Sequence, residues 1–170
     1  MRTPNFSIVL FFLCLIDKIY CKRPIVIAHR GASGYLPELT FEANIAAFFM
    51  HSDFLELDVV LTKDDIPIVL HDLQLDQVTN VADVYPDRNR SDSRYYAIDF
   101  TFDEIRQLKV SERFPYNNRS SPVYPNRFPL WQSQFRLNSL EELIQLIQGL
   151  QGTMNRIYQL NGNLNNQSLN

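Results

Sequence analysis

The stretch from Arg23 to Asp72 leaves this chain few ways to fold. It reads RPIVIAHRGASGYLPELTFEANIAAFFMHSDFLELDVVLTKDDIPIVLHD: an apolar run, a forced loop, a helical pattern and two further apolar runs. Pro24 to Ala28 (PIVIA) is short, continuously apolar and rich in β-branched residues. That predicts a strand buried on both faces, as in a parallel sheet. His29, Arg30 and Gly31 follow, then Ser33-Gly34 and Pro37-Glu38, so two glycines and a proline force a loop where the strand ends. Thr40 caps a helix expected over residues 41–50, with Phe41, Ile45, Phe48 and Phe49 at helical spacing. Strand, loop and helix make half of a βαβ unit.

The next run, FLELDVVL at 54–61, alternates before becoming continuously apolar, and this sets Glu56 and Asp58 on one face two residues apart. A solvated strand face is the bland explanation. The flanking Phe54, Leu55, Leu57, Val59 and Val60 argue burial instead, and buried paired carboxylates need a cation. TKDD at 62–65 is a turn and IPIVL at 66–70 a returning strand. A turn centred on Asp64-Asp65 sets Asp58 opposite His71. His51, at the end of the helix, reads as structural. His29 and His71 each close an apolar strand beside Arg30 or Asp72, at the edge where α/β folds keep their sites.

The composition narrows the classes of function. With 170 residues, 45% hydrophobic and a net charge of -3, the chain can bury a core but has no basic field to hold a polyanion, which argues against nucleic-acid binding. Cys14 and Cys21, both near the N-terminus, make neither a disulfide framework nor a zinc site. Residues 1–22 carry Arg2 and the apolar run FSIVLFFLCLI at 6–16, too short to span a bilayer. The expectation is a secretory signal peptide, a periplasmic or secreted protein, and no stable membrane span once it is removed. The alternative is an N-terminal helix.

HRGASGYLPE at 29–38, ELDVVLTKDD at 56–65 and VLHD at 69–72 resemble the motifs of the glycerophosphodiester phosphodiesterase family, in its periplasmic bacterial form. The likeness continues through LDQVTN (75–80), RYYAIDF (94–100), VYPNRFPLW (123–131) and residues 143–150. The resemblance implies an α/β TIM barrel with an insertion and a divalent cation, Ca²⁺ before Mg²⁺. It also implies hydrolysis of glycerophosphodiesters, the deacylated phospholipids, to glycerol 3-phosphate and an alcohol. By that resemblance Glu56 and Asp58 match metal-binding carboxylates, and His29 and His71 match the acid-base pair, with His29 as base and His71 as acid. Arg30 would offer a guanidinium fork to the phosphate. Glu38 would orient His29, Arg30 or the metal, or simply tie down the loop.

The region from about 74 to 129 then corresponds to the insertion over the barrel mouth, and its mixed-sign charges, Asp83, Asp87, Arg88, Arg90, Asp92 and Arg94 among them, read as a solvated surface. Thr101 and Glu104 form a capping box, Tyr95 and Trp131 either pack or line the mouth, and Asn138-Ser139-Leu140 starts a helix striped by Leu143, Ile144 and Ile147. A TIM barrel takes about 250 residues and eight strands. The pattern here supplies roughly three, counting RIYQL at 156–160 as the last, so a domain over 23–160 is expected to be a truncated barrel. The family's third metal carboxylate has no counterpart after Tyr158. The Asn-rich tail, 161–170, is expected to be disordered. Three readings follow: an enzyme, an inactive fragment of the family, or a non-catalytic binder. The sequence does not specify an oligomeric state.

Overall fold

A computed structural model describes residues 23–116, 118, 120–128 and 133–167, with side chains through residue 156. The expected signal segment, Trp131 and residues 168–170 lie outside the described residues.

The βαβ unit forms as its punctuation predicts. Strand β1 (Ile27–His29) leads through the Gly/Pro loop into helix α1 (Phe41–Phe49), which returns to β2 (Phe54–Glu56). β1 and β2 pair in parallel, with Ile27 beside Phe54, Ala28 beside Leu55 and His29 beside Glu56. Asp53 tethers the entry to β1, because its carboxylate accepts from the Val26 N–H at 2.8 Å and pairs with Arg23. Thr40 caps α1 as expected, its hydroxyl accepting from the Ala43 N–H. The buried face of α1 is not the phenylalanine stripe, however. Ala43, Asn44 and Ala47 are buried while Phe49 is exposed. The small face lets the helix backbone approach the loop closely enough for the Ala32 N–H to reach the Ala43 carbonyl at 2.8 Å. β1 also departs from expectation, since Ile25, Val26 and Ile27 are exposed: its only strand partner among the described residues is β2.

The run expected to form one strand from 54 to 61 divides into β2 and β3 (Val59–Leu61), interrupted at Leu57-Asp58, and the two pieces join different sheets. β3 pairs antiparallel with β4 (Pro67–Val69), Val59 against Val69 and Leu61 against Pro67. This corrects the expected register by one residue. Thr62 and Ile66 close the loop, with Asp65 in the left-handed region at φ 60°, so the connection holds three residues, not two. Leu70, not His71, therefore faces Asp58, and its N–H donates to the Asp58 carbonyl at 3.1 Å.

The larger core lies beyond the hairpin. Ile68, Leu75, Val81, Ala97, Phe100, Ile105, Leu108 and Val110 pack together, joined by helix α2 (Val81–Val84), a 3₁₀ turn (Ala97–Asp99) and helix α3 (Phe102–Ile105). Thr101 and Glu104 form the expected capping box on α3. Tyr95 packs, its hydroxyl donating to the Pro86 carbonyl. A smaller cluster of Leu39, Val69 and Leu143 joins the βαβ side to helix α4 (Leu140–Gln167).

α4 begins as predicted, with Ser139 and Glu142 capping each other reciprocally. It then replaces the expected third strand at 156–160 and takes in 161–167 of the tail expected to be disordered. A strand needs a neighbour to satisfy its backbone, whereas a helix satisfies its own. Residues 151–167 contain no proline to end it. No described helix is long and apolar enough to cross a membrane.

Candidate active site

The end of β1 bends sharply. Arg30 and Gly31 are consecutive left-handed residues at φ 61° and 76°, so the strand stops after His29 and the backbone turns toward its neighbour. The Arg30 N–H thereby reaches Glu56 Oε2 at 3.0 Å, while its carbonyl accepts from the Leu39 N–H. Gly31 is required there on two counts: its φ, and the Ala43 carbonyl carbon, only 2.8 Å from where a Cβ would sit.

His29 and Glu56 are register partners at the C-terminal ends of two parallel strands, with His29 Nε2 3.9 Å from Glu56 Oε2. The His29 side chain is 70% exposed, open to a ligand from solvent. Asp58 arrives from the β2–β3 break, and its Oδ2 lies 3.2 Å from Arg30 Nε. Neither atom makes a hydrogen bond, although both are buried. Arg30 Nη1 donates to Glu38 at 2.9 Å. Its guanidinium is thus turned onto Glu38 and Asp58 and does not stand free as a fork.

Glu38 is the most enclosed of the predicted residues, its side chain 9% exposed. Burial pushes its carboxyl up, but the guanidinium groups of Arg113 and Arg30 more than offset this and hold it below the ordinary carboxylate range. Arg113 also bonds Asp72, whose Oδ1 meets His71 Nδ1 at 2.6 Å. Asp72 behaves alike: burial raises its pKa, and Arg113, then His71, lower it further than burial lifts it. His29, Arg30, Glu38, Glu56 and Asp58 are therefore brought together directly. Among the described contacts His71 joins them only through Asp72 and Arg113.

Sequence reasoning missed Arg113, Arg127 and Glu112 by treating the insertion's charges as solvated. Glu112 is fully buried, accepts from Arg127 at 3.0 Å, and has its pKa raised by burial. Arg127 also lies 3.8 Å from Glu38 and over the Tyr124 ring. Arg94 and Asp76 form a further half-buried pair. The signal was present in VSERFP at 110–115, where two charged residues sit between Val110 and Phe114, both apolar and both buried.

The carboxylates of Glu56 and Asp58, the latter with a buried oxygen that makes no hydrogen bond and lies against Arg30 Nε, are hard oxygen donors of the kind a divalent cation takes, completing its shell with water and substrate oxygens. Among the described residues no group of three or more ligating side chains is assembled.

Residues 29–166 match the family model described as the glycerophosphoryl diester phosphodiesterase family. Glycerophosphodiester phosphodiesterases of Haemophilus influenzae and Treponema pallidum are 53% and 44% identical to the chain over 75% and 84% of its length. The chain spans 35% and 40% of those relatives. A solved structure of a putative glycerophosphoryl diester phosphodiesterase from Silicibacter pomeroyi matches with a TM-score of 0.57 and 28% identity, covering 75% of this chain and 42% of that one. An Agrobacterium tumefaciens phosphodiesterase shares the fold at a TM-score of 0.52 and 22% identity, over 75% of this chain and 44% of its own. These neighbours are TIM barrels, so the fold described above is part of a TIM-barrel-like architecture. With the family model spanning both strand-end histidines and both carboxylates of the site, the chain belongs to the glycerophosphoryl diester phosphodiesterase family.

Proposed function

We propose that this site serves the metal-dependent hydrolysis of glycerophosphodiesters to glycerol 3-phosphate and an alcohol. The observation that carries the reading is the pairing of His29 with Glu56 at the C-terminal ends of two parallel strands, with Arg30 drawn between Glu56, Asp58 and Glu38. Glu56 and Asp58 would hold the divalent cation, Ca²⁺ or Mg²⁺. Bound there, the cation supplies charge neutralisation for the phosphodiester. Arg30 adds positive charge beside the phosphate position. His29, open to solvent, accepts the proton from the attacking hydroxyl as the new P–O bond forms; attack by water gives glycerol 3-phosphate directly, whereas attack by the substrate's own hydroxyl gives a cyclic phosphate that water opens in a second displacement. His71 in its protonated form delivers a proton to the departing alkoxide as the old P–O bond breaks. Its Nδ1 faces Asp72, which leaves Nε2 for the substrate.

A second reading, binding without turnover, is favoured by one observation: the described carboxylates at the metal position number two, with Arg30 already against Asp58. The full chain is tested with Ca²⁺ or Mg²⁺ for release of glycerol 3-phosphate from glycerophosphocholine, with His29→Ala as control. Metal-dependent release lost in the control supports hydrolysis. Binding of glycerophosphocholine by calorimetry with no release supports the binder. The apolar run at 6–16 supports a periplasmic or secreted location, which cell fractionation tests.

A further inference from the structure

We propose that Arg113 is a positioning residue that holds the acid-base histidine His71 and the phosphate-side Arg30 in one fixed arrangement, acting through Asp72 on the first and Glu38 on the second. The inference rests on the functional reading above for its kinetic consequence, but not for its geometry. Arg113 is 42 residues beyond His71 in sequence and belongs to the segment that follows the larger core. Its guanidinium nevertheless enters the site, with Nη1 donating to Asp72 Oδ2, and Nη2 and Nε donating to Glu38 at 2.5 and 3.4 Å. Each of those carboxylates uses its other capacity on a predicted functional group: Asp72 on His71 Nδ1, Glu38 on Arg30 Nη1.

The planar fork is suited to this task, since one rigid group fixes two acceptors at a set separation. A lysine would supply the charge as a point without that geometry. Which imidazole nitrogen carries the proton is set by the partner of the other nitrogen. Pinning Asp72 therefore fixes which nitrogen His71 turns toward a substrate. Without Arg113, two carboxylates that shared a cation would be left to find other partners, Glu38 among Arg30 and Arg127, and Asp72 with His71 alone.

The Arg113 backbone is held independently of its side chain. Its N–H donates to Glu112, its carbonyl accepts from the Val123 N–H at 2.8 Å, and the neighbouring Phe114 N–H bonds the Gln77 carbonyl. Phe114 is itself fully buried. A side-chain substitution should leave the segment in place, which separates positioning from a purely structural role.

The experiment compares the full chain with Arg113→Gln, Arg113→Lys and Asp72→Asn. Imidazole ¹⁵N shifts are recorded on samples labelled at histidine, of which the chain has three. The exposed His51 serves as an internal reference for an unheld ring. The expected result is that His71 shifts move toward those of His51 in Arg113→Gln and in Asp72→Asn, with Arg113→Lys failing to restore them. For hydrolysis, Arg113→Gln is expected to lower kcat about 10- to 100-fold, the usual effect of removing a group that orients a reacting one. Asp72→Asn should act mainly on kcat, and Glu38→Gln mainly on KM. Unchanged His71 shifts in both Arg113→Gln and Asp72→Asn overturn the proposal, as does a lowered Tm with no change in shifts. Should Arg113→Gln fail to fold, Arg113→Lys carries the test, since it keeps the charge without the fork: His71 shifts identical to the parent's in that variant overturn the proposal. Displaced His71 shifts in a chain that hydrolyses nothing would sink the enzymatic reading and leave the positioning role standing.

Discussion

Replacing Gly31 with alanine tests whether the turn that ends β1 is as constrained as its geometry indicates. The residue sits at φ 76°, where a side chain costs about 1–2 kcal/mol relative to the right-handed region. The added methyl would also meet the Ala43 carbonyl carbon at 2.8 Å, its oxygen at 2.9 Å and the Asn44 nitrogen at 3.0 Å. These are backbone atoms of a helix whose face is buried at that point, so no flexible side chain can yield. The loop must move off α1, and the first casualty is the 2.8 Å bond from Ala32 to the Ala43 carbonyl, a loss of about 0.5–1.5 kcal/mol. The combined cost is about 1.5–3.5 kcal/mol, or a fall in Tm of about 3–14 °C for a chain of this size. Thermal melts followed by circular dichroism measure it. Gly34→Ala is the matched control, because nothing lies within 4 Å of its added Cβ and its φ is not left-handed, so its Tm should hold or rise slightly. A Gly31→Ala protein melting within about 1 °C of the parent would refute the argument, since that is well below the shift expected for even 1 kcal/mol.

Phe100 is fully buried, packs on Tyr85 and lies under Arg88, so Phe100→Ala should cost about 3–5 kcal/mol in a urea titration. Glu38 and Asp72 both titrate below their ordinary values in the folded chain, so their contribution is complete above those values and is lost as pH falls through the lowered ones. Stability should therefore drop on acidification below the ordinary carboxylate range, and less steeply in Glu38→Gln; equal slopes by thermal melt would count against the paired-charge account. Glu112 has the opposite sign, with its raised pKa costing stability as pH climbs, so Glu112→Gln should widen the gain between acid and neutral pH. Asp58→Asn or Glu56→Gln should abolish divalent-cation binding seen by calorimetry while leaving the melt cooperative.

Much of the site was legible in the sequence because its residues lie where local rules act strongly. His29-Arg30-Gly31 closes an apolar run with a glycine that the turn demands, and Thr40, Thr101 and Ser139 announce helix starts through hydroxyls that cap them. The hairpin register was misread by one residue because a left-handed aspartate, Asp65, adds a third loop position that composition does not mark. The spacing of the phenylalanines did not mark the buried face of α1 for a different reason: alanines carry little hydrophobic signal, yet their small side chains allow close approach to the Gly31 turn. Arg113 and Glu112 were illegible as partners, because an ion pair spanning 75 residues to Glu38 depends on the tertiary fold and leaves no periodicity. The strand expected at 156–160 is helix instead, because pairing in a sheet depends on where the tertiary fold puts a neighbour, which is not a property of the segment itself.

The unequal size of the two hydrophobic clusters has a consequence for how the molecule breathes. Leu75, Val81, Phe100, Ile105 and Leu108 share one extensive cluster, whereas the βαβ side is joined to α4 through Leu39, Val69 and Leu143. Local opening follows buried apolar contact, so amides of the strand-end turn should exchange with solvent at a lower free energy than those around Phe100. Any ligand held by His29, Arg30 and Glu56 then reports itself as slowed exchange on the weaker side, worth about 2.7 kcal/mol at a hundredfold excess over Kd where opening abolishes binding. Hydrogen exchange would thus reveal occupancy of the candidate site without any turnover at all, through the order it imposes on the less well packed half.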